Sequence, residues 1–430
     1  MTILAVLAKI VKNHPYGHAV KYHRYLERFI TEICFDAGKM AFVSGPRQCG
    51  KTTMARMLLK ERGAGVYCNW DEIKFRRLWT RDPALLVPEQ LGNTKPLLIL
   101  DELHKARLWK RTLKGLYDTE GESCDILVTG SARLNVYRRG SDSLMGRYYH
   151  FRLHPFSVAE LLKNRHSLLP DELVSILFSI EKDKKHSTAA GDSLKALFQS
   201  GPFPEPLFAA SPKTLNLWQR NRVEKIVRED LRDLSRLPEL SQVEMLTSLL
   251  PERAAQPLSI QSLAEDLEVA YTTVKRWLNY LSELYYFFPL KPWAKSSARA
   301  IRKEAKLYLW DWSEVLNEGA RFENLIAAHL LKYCDYLTDT GHGLFELRYL
   351  KDRQKHEIDF LILRDKKPFL PVEAKLADGT PSRVWGNFMQ YMGCHQAVQL
   401  VMSPDVYKIH EYPDYQLLVM SAADFLQYLV

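Results

Sequence analysis

The sequence predicts a multidomain α/β protein, and three observations carry that prediction. The chain has 430 residues. That is too many for one hydrophobic core, so on the order of three domains are expected. Near the start, a short apolar run, Met40 to Val43, leads into "SGPRQCGKTTM" and then a helical pattern, "ARMLLK", which together read as strand, loop and helix. Near the end, three strand-like runs, "GLFELRYL", "HEIDFLIL" and "FLPVEAKLA", follow the helical "RFENLIAAHLLKY". Hydrophobic residues at 46% and charged residues at 26% are the balance of a globular chain. No apolar run reaches the length of a membrane span, so no membrane partner is expected. The N-terminal "ILAVLAKIV" is short, broken by a lysine and not preceded by a basic run; it reads as a docked helix, not a signal peptide. None of the six cysteines forms a CxxC pair, so they read as buried thiols of a reducing cytoplasm. The net charge of +9 favours a polyanionic partner, nucleic acid before membrane.

The first element with chemistry is Gly45-Pro46-Arg47-Gln48-Cys49-Gly50-Lys51-Thr52, a complete GxxxxGK[ST] phosphate loop with Thr53 beside it. Its glycines let backbone N–H groups turn inward around phosphate oxygens. Lys51 would reach the β- and γ-phosphates, the Thr52 hydroxyl would ligate Mg²⁺, and the phosphates would sit at a helix N-terminus. "PLLILDELHK" supplies the partner strand. Leu97 to Leu100 are uniformly apolar, as a buried parallel strand should be. At its end Asp101 would hold Mg²⁺ through water and Glu102 would act as general base on the attacking water. A third strand, "DILVTGSAR", puts Ser131 at its carboxyl end, where ligands bind in open α/β sheets. In "SDSLMGRYYHFRLHPFSVAEL", Arg147 follows a glycine on a surface turn. It is the candidate to meet the charge that develops in phosphoryl transfer, acting on a neighbouring subunit, with Arg133 as the alternative.

"GPRQCGKTT", "LLILDELHK", "VTGSA", "SLMGRYYHFRLHPFSVAEL" and "GPFPEP" occur in that order. With these runs the chain resembles the AAA-type P-loop ATPases of the ASCE class that carry a C-terminal domain of unknown function related to restriction endonucleases. The resemblance extends over nearly the whole chain, from Lys21 to the end. The phosphate-loop motifs are generic to many ATPases; the "SLMGR…HPFSVAEL" run and "GPFPEP" are specific to this group. The resemblance implies ATP and Mg²⁺ as cofactors and a helical lid beside the nucleotide. "ARLNVYRR", after Gly130-Ser131, departs from the small and apolar residues usual there and leaves the choice of arginine open.

The segment 165–200 is polar and irregular at its edges and reads as the passage into the lid. "FQSGPFPEPLF" brings its prolines into one turn, which fixes a rigid connection. In "NRVEKIVREDLRDLSRL", Arg228 is either a lid arginine or part of a solvated helix face. From Ser259, "SIQSLAEDLEVAYTTVKRWLNYLSELYYFFPL" has helix-turn-helix spacing, with Val274, Trp277, Leu278, Leu281 and Leu284 on one face. Thr272, Thr273, Lys275, Arg276 and Asn279 face outward, as phosphate and base-edge contacts require. "YYFFPL" follows as a wing. "KPWAKSSARAIRKEAK" then carries Lys291, Lys295, Arg299, Arg302, Lys303 and Lys306 against the single acid Glu304, a run suited to a phosphate backbone. Lys275, Arg276, Arg299 and Arg302 are the DNA-binding candidates; the alternative is a winged helix that serves as a subunit contact.

In the C-terminal runs Asp359 lies early in one strand, and Glu373 and Lys375, two apart, point to one face of the next. Residues 360–372 are enough for a strand, a turn at "RDKK" and a return that sets the two acids side by side. Together they would hold Mg²⁺, with Lys375 orienting water or steadying phosphate. The pattern resembles the D…ExK core of the restriction-endonuclease fold, PD-(D/E)XK, with Ile358 in place of the proline. That resemblance implies Glu323 as the helix acid and Gln390 as the later helix glutamine. It leaves open whether the domain cuts DNA or only binds branched or broken DNA.

The chain then divides into a P-loop ATPase core with N-terminal helices (1–165), a helical lid (166–238), a winged helix-turn-helix (239–310) and a restriction-endonuclease-like domain (311–430). The expected function is a cytoplasmic, Mg²⁺-dependent ATPase that couples ATP binding and hydrolysis to binding or remodelling DNA, for example branched DNA, and that self-associates. The alternatives are an ATP-regulated, metal-dependent nuclease and a slow ATP switch whose C-terminal domain recruits a partner.

Overall fold

Strands buried on both faces must be apolar throughout, and the runs that read this way form the centre of a parallel sheet. The computed structural model describes residues 22–90, 94–130, 144–164, 167–179, 187–231, 239–295, 304–352, 354, 356–377, 379–381 and 384–430, with no account of the Asp230 side chain. The expected helix at "ILAVLAKIV" lies outside these residues. Two compact units are present, His23–Pro155 and, together with Tyr22, Phe156–Val430. The first ends inside the "HPFSVAEL" run, ahead of the boundary expected at residue 165.

In the first unit β1 (Met40–Ser44), β2 (Gly65–Asn69), β3 (Leu97–Asp101), β4 (Asp125–Gly130) and β5 (Tyr148–Arg152) all pair in parallel, in the order β2-β3-β4-β1-β5. Every residue of β1, β3 and β4 is buried. Helix α1 (Lys51–Arg62) follows β1, and α2 (Trp109–Glu120) comes between β3 and β4. Phe42 stacks on Tyr148 at 4.5 Å and lies 6.1 Å from Trp109, in a core shared with Leu98, Leu100, Leu113 and Val128. Because the strands all run one way, the segments after β1, β3 and β4 leave the sheet at one edge, where open α/β sheets bind ligands.

The second unit contains α3 (Val158–Leu161), α4 (Thr188–Ser200), α5 (Ile260–Asp266), α6 (Tyr271–Glu283) and the long α7 (Glu318–Asp339). The "SVAEL" run is a docking peptide for α7. Ser157 caps α3 by accepting the Glu160 N–H. Glu160 pairs with the buried Lys332, whose ammonium also donates to Ser157 Oγ at 3.0 Å. His329 accepts the Val158 N–H on Nε2 at 3.2 Å and donates from Nδ1 to Leu325 O at 2.8 Å. Those roles need a neutral ring, and burial holds its pKa down to about 3. The "GPFPEP" run has a similar structural reason. A Cβ on Gly201, at φ +74°, would sit 2.5 Å from Asp311 Oδ1, so only glycine lets the chain approach. Asp311 in turn accepts from Trp218 Nε1 at 2.8 Å, and Trp312 Nε1 donates to Leu197 O at 2.7 Å.

Helices α5 and α6 are joined by a short turn and followed by β6 (Phe287–Leu290) and β7 (Lys306–Leu309), an antiparallel pair. Helix α6 buries Val274, Trp277, Leu278 and Leu281 and exposes Thr272, Lys275, Arg276 and Asn279. The expected basic wing needs one correction. Lys306 is only 1% exposed and is not part of a basic surface.

A six-stranded mixed sheet completes this unit. Its strands are β8 (Phe345–Lys351), β9 (Glu357–Arg364), β10 (Lys367–Lys375), β11 (Gln396–Val401), β12 (Tyr407–Glu411) and β13 (Gln416–Ser421), in the order β12-β13-β11-β10-β9-β8. The turn of the β9–β10 hairpin is Asp365-Lys366, both left-handed at φ 50° and 67°, between the paired Arg364 and Lys367. Such a two-residue turn matches the natural twist of the strands it joins. Helix α8 (Trp385–Met392) buries Trp385, Phe388 and Met389 against Leu361 and Leu363 of β9 and Leu417 and Val419 of β13. All six cysteines are buried. Among the described residues, no helix is long and apolar enough to cross a membrane.

Candidate nucleotide site and C-terminal acid cluster

The phosphate loop leaves the carboxyl end of β1. Space dictates its first glycine, since a Cβ on Gly45 would lie 2.2 Å from Leu153 O. Pro46 and Cys49 are buried, Arg47 and Gly50 half-buried, and Gln48, Thr52 and Thr53 exposed. The buried Lys51 donates to Gly45 O at 2.9 Å and Pro46 O at 2.6 Å, so its ammonium folds back over its own loop. Arg24, absent from the expected set, braces this loop. Its guanidinium donates to Cys49 O and His154 O, both at 2.6 Å. No motif in "HRYLERF" announces that role.

Asp101 is 1% exposed and is met by hydroxyl groups. Thr52 Oγ1 at 2.8 Å and Tyr67 OH at 2.6 Å donate to its Oδ2, and Thr129 Oγ1 donates to its Oδ1. Tyr67 and Thr129 are additions to the expected residues. Strand register brings Thr129 there, since it pairs with Asp101 across β3 and β4. Its place near the end of "DILVTG" was the available signal. Burial and the Asp101 charge push Tyr67 up to about 12, which keeps it a donor. Glu102 adopts a left-handed backbone at φ 59°. That strain is worth on the order of 1–3 kcal/mol in a non-glycine residue and gathers at functional sites. Burial raises its carboxyl pKa, and the charges of Lys51 and Lys105 oppose the rise. Its Oε2 lies 3.5 Å from His104 Nε2 and 3.8 Å from Lys105 Nζ.

Arg147 stands just before β5, and Tyr148 pairs with Met40 at the start of β1. It is therefore a full strand, roughly 13 Å or more, from the loop that follows Ser44 of the same chain. Its guanidinium makes a two-pronged contact with Asp118, at 2.6 and 3.1 Å. Ser131 and Arg133 lie outside the described residues. Arg228 is exposed and pairs with Glu244 at 2.6 and 3.3 Å, as a solvated helix face would. Of the DNA-binding candidates, Lys275 and Arg276 are exposed on α6, and Arg299 and Arg302 lie outside the described residues.

In the C-terminal sheet, Asp359 and Glu373 lie on paired antiparallel strands, each one residue beyond the partners Phe360 and Val372. Asp359 Oδ2 accepts the Ala374 N–H at 3.0 Å. Glu373 is 3% exposed; its Oε1 meets Lys375 Nζ at 2.7 Å, and its Oε2 is buried without a hydrogen-bond partner. Glu323 approaches from α7. The centre of the group, however, is filled by Lys306. Its Nζ contacts Glu357 and lies 2.9 Å from Glu323 Oε1 and 3.5 Å from Asp359 Oδ1. Tyr308, two residues on, donates to Glu323 Oε1 at 2.7 Å. Burial raises the carboxyl pKa values of Glu323 and Asp359. Burial also works against the charge of Lys306, but Glu323, Asp359 and Glu357 outweigh it and raise its pKa. Gln390 is exposed on α8 and makes no hydrogen bond to these acids. Asp359 and Glu373 are the acids expected to hold a divalent cation. Asp359 has both oxygens engaged, and Glu323 and Glu357 are held by an ammonium, so this donor set does not fit such a cation as it stands.

Three stretches of the chain match known families: residues 37–162 the AAA domain, 191–315 a domain of unknown function (DUF8612) and 318–418 a domain of unknown function (DUF4143). An uncharacterized protein of Methanocaldococcus jannaschii is 25% identical over 350 residues, covering 73% of this chain and 71% of its own. One of Mycobacterium tuberculosis is 25% identical over 273 residues, covering 63% of this chain and 54% of its own. Among solved structures, the ORC1 protein of Aeropyrum pernix in complex with DNA aligns at 17% identity and a TM-score of 0.31, over 75% of this chain and 96% of that one. The chain therefore carries a P-loop ATPase domain of the AAA family, followed by a C-terminal DUF4143 domain.

Proposed function

We propose that the protein is a cytoplasmic, Mg²⁺-dependent ATPase that couples ATP turnover to binding or remodelling DNA. The observation that carries this reading is the meeting of Lys51, Thr52, Asp101 and Glu102 at the carboxyl edge of the parallel sheet. The Thr52 hydroxyl and the Asp101 carboxylate, 2.8 Å apart, are the donors for Mg²⁺, which would screen the phosphate charge. Lys51 exchanges two neutral carbonyl acceptors for charged phosphate oxygens, a stronger bond. The loop N–H groups and the start of α1 take the remaining oxygens. As water attacks the γ-phosphorus, Glu102 accepts its proton, and the departing ADP keeps the electron pair of the broken P–O bond. A carboxyl whose pKa burial has raised is a better base for that step. Arg147 is a strand away from its own loop, so it would act on the nucleotide of a neighbouring copy after releasing Asp118; that requires self-association.

Helices α5 and α6 with the β6–β7 pair read as a winged helix, and the exposed Lys275 and Arg276 support a phosphate contact. A helix acid, a strand acid and Glu373-x-Lys375 support a restriction-endonuclease-like fold for the C-terminal domain, used to bind DNA and not to cut it. The test is ATP turnover with and without single-stranded, duplex and branched DNA, in the wild type and in Glu102→Gln. The variant should bind ATP and not turn it over, and DNA should speed the wild type. A wild-type rate in Glu102→Gln removes the assignment of the base, and a rate indifferent to every DNA removes the coupling.

A further inference from the structure

Lys306 is fixed from several directions. Its strand pairs with β6 on one side. On the other, Leu307 N donates to Gln256 O at 3.1 Å, and Ala255 N donates to Leu307 O at 2.8 Å. Asn324 of α7 clamps Leu309, accepting from its N–H and donating to its carbonyl, both at 2.8 Å. With the backbone held this way and the side chain buried, the ammonium stays among its carboxylates. Access is not what keeps other cations away. A pocket of about 420 Å³, lined by Glu252, Ala255, Gln256, Asn317, Ala320 and Glu323, reaches the Glu323 end of the cluster. Charge is what differs. Lys306, Lys351 and Lys375 set three ammonium groups against the four carboxylates of Glu323, Glu357, Asp359 and Glu373.

We infer that Lys306 is the resident cation of this cluster, its ammonium holding among Glu323, Glu357 and Asp359 the position that a divalent metal takes in a nuclease site. The inference rests on reading the domain as nuclease-like. Under it the domain takes no metal at these acids and cleaves no DNA through them, and its acids serve to anchor the first residue of β7 to α7 and β9. The buried, unpartnered Glu373 Oε2 is the one feature that favours a metal, so the test includes it.

The probe is Mn²⁺ alone, followed by loss of its free-ion paramagnetic signal, on the full chain without nucleotide. Wild type, Asp359→Asn and Glu373→Gln should give superimposable titrations. Lys306→Met removes the ammonium while keeping most of its bulk. It should gain a site binding Mn²⁺ at least ~100-fold more tightly than wild type, since one unit charge a few ångströms away is removed. That site should vanish in the Lys306→Met, Asp359→Asn double variant. A wild-type Mn²⁺ site lost in Asp359→Asn or Glu373→Gln overturns the inference, and so does a folded Lys306→Met protein that gains no site. If Lys306→Met does not fold, the comparison of wild type with the two acid variants still decides. ATP turnover of the same samples reports on the other unit, so failure of the ATPase reading shows separately.

Discussion

Asp101, buried, and Asp359, half-buried, are both strand acids with a second acid close by, and they are satisfied in different ways. Asp101 is met by the hydroxyls of Thr52, Tyr67 and Thr129. Asp359 is met by the ammonium of Lys306 and the Ala374 N–H, and Glu323 and Glu357 share the same lysine. Neutral donors fill the hydrogen-bonding capacity of a carboxylate without cancelling its charge, so the first acid keeps its demand for a cation. A buried lysine cancels that charge inside the fold. What touches an acid pair therefore says more about its chemistry than the pair itself.

The largest effect that would sharpen this contrast lies on the ATPase side. Arg147→Ala should leave ATP affinity nearly intact and cut turnover by about 10³-fold or more, the low end for an arginine acting on a phosphoryl group. Mixing it with Lys51→Ala protein should restore part of the rate, because each partner supplies what the other lacks. Mixtures no faster than their components, at concentrations where the chain self-associates, would remove the action across an interface.

Next come two isosteric or near-isosteric changes with opposite signatures. Lys306→Met takes from three half-buried carboxylates the buried cation they share, leaving only Glu357 with another, Lys351, and should cost about 3–5 kcal/mol of stability, with ATP turnover spared wherever the protein stays folded. Asp101→Asn keeps the shape and most of the hydroxyl bonds and should cost only about 1–2 kcal/mol, yet abolish turnover. Urea unfolding beside a turnover assay reads both, and the reverse order of stabilities would break the comparison. pH adds a check of sign. Glu323 and Asp359 have folded pKa values above their ordinary 4.5 and 3.8, so the folded form binds their protons more tightly than the unfolded chain does. The Lys306 charge holds both values down, so its loss raises them further, and the stability lost in Lys306→Met should shrink as pH falls from neutral towards the ordinary carboxylate values. Glu102, also raised, must be ionised to act, so turnover should fall on an acid limb lying above its ordinary 4.5.

The two clusters also differ in how far they could be read from sequence. The loop, Lys51, Thr52, Asp101 and Glu102 follow from short contiguous motifs, whose meaning depends on a strand and a helix next to them. Tyr67, Thr129 and Arg24 come in through register and packing, which no single motif records. In the C-terminal unit the hairpin and its turn at Asp365-Lys366 were legible because they follow from local pattern, whereas Glu323 was reached only through the resemblance to the restriction-endonuclease fold. Lys306 was not, because it lies at the start of its strand among surface-type basic residues, and a lysine is seldom buried. One signal was present. In "KLYLWDW" the strand is apolar at Leu307 and Leu309 and carries Tyr308 on the Lys306 face, so neither face reads as solvated, and all four residues of β7 are buried.

The smallest expected effect concerns the basic residues that do stay on the surface. Counting from sequence, Lys306 belongs with Lys275 and Arg276 as a phosphate contact; in the fold it is spent on acids, while they are exposed. Each cation that neutralises a DNA phosphate releases counterions, so log affinity falls with log salt by about 0.9 per contact on duplex DNA. Changing Lys275 and Arg276 together to alanine should therefore flatten that slope by about 2 and weaken binding at low salt more than at high salt. Fluorescence anisotropy across a salt series measures both. A slope that does not move would make α6 a contact between subunits, and the charge that binds DNA would then have to come from elsewhere on the chain. A slope that flattens would leave the exposed pair and the buried lysine with separate tasks, one neutralising phosphates outside the protein and the other neutralising carboxylates within it.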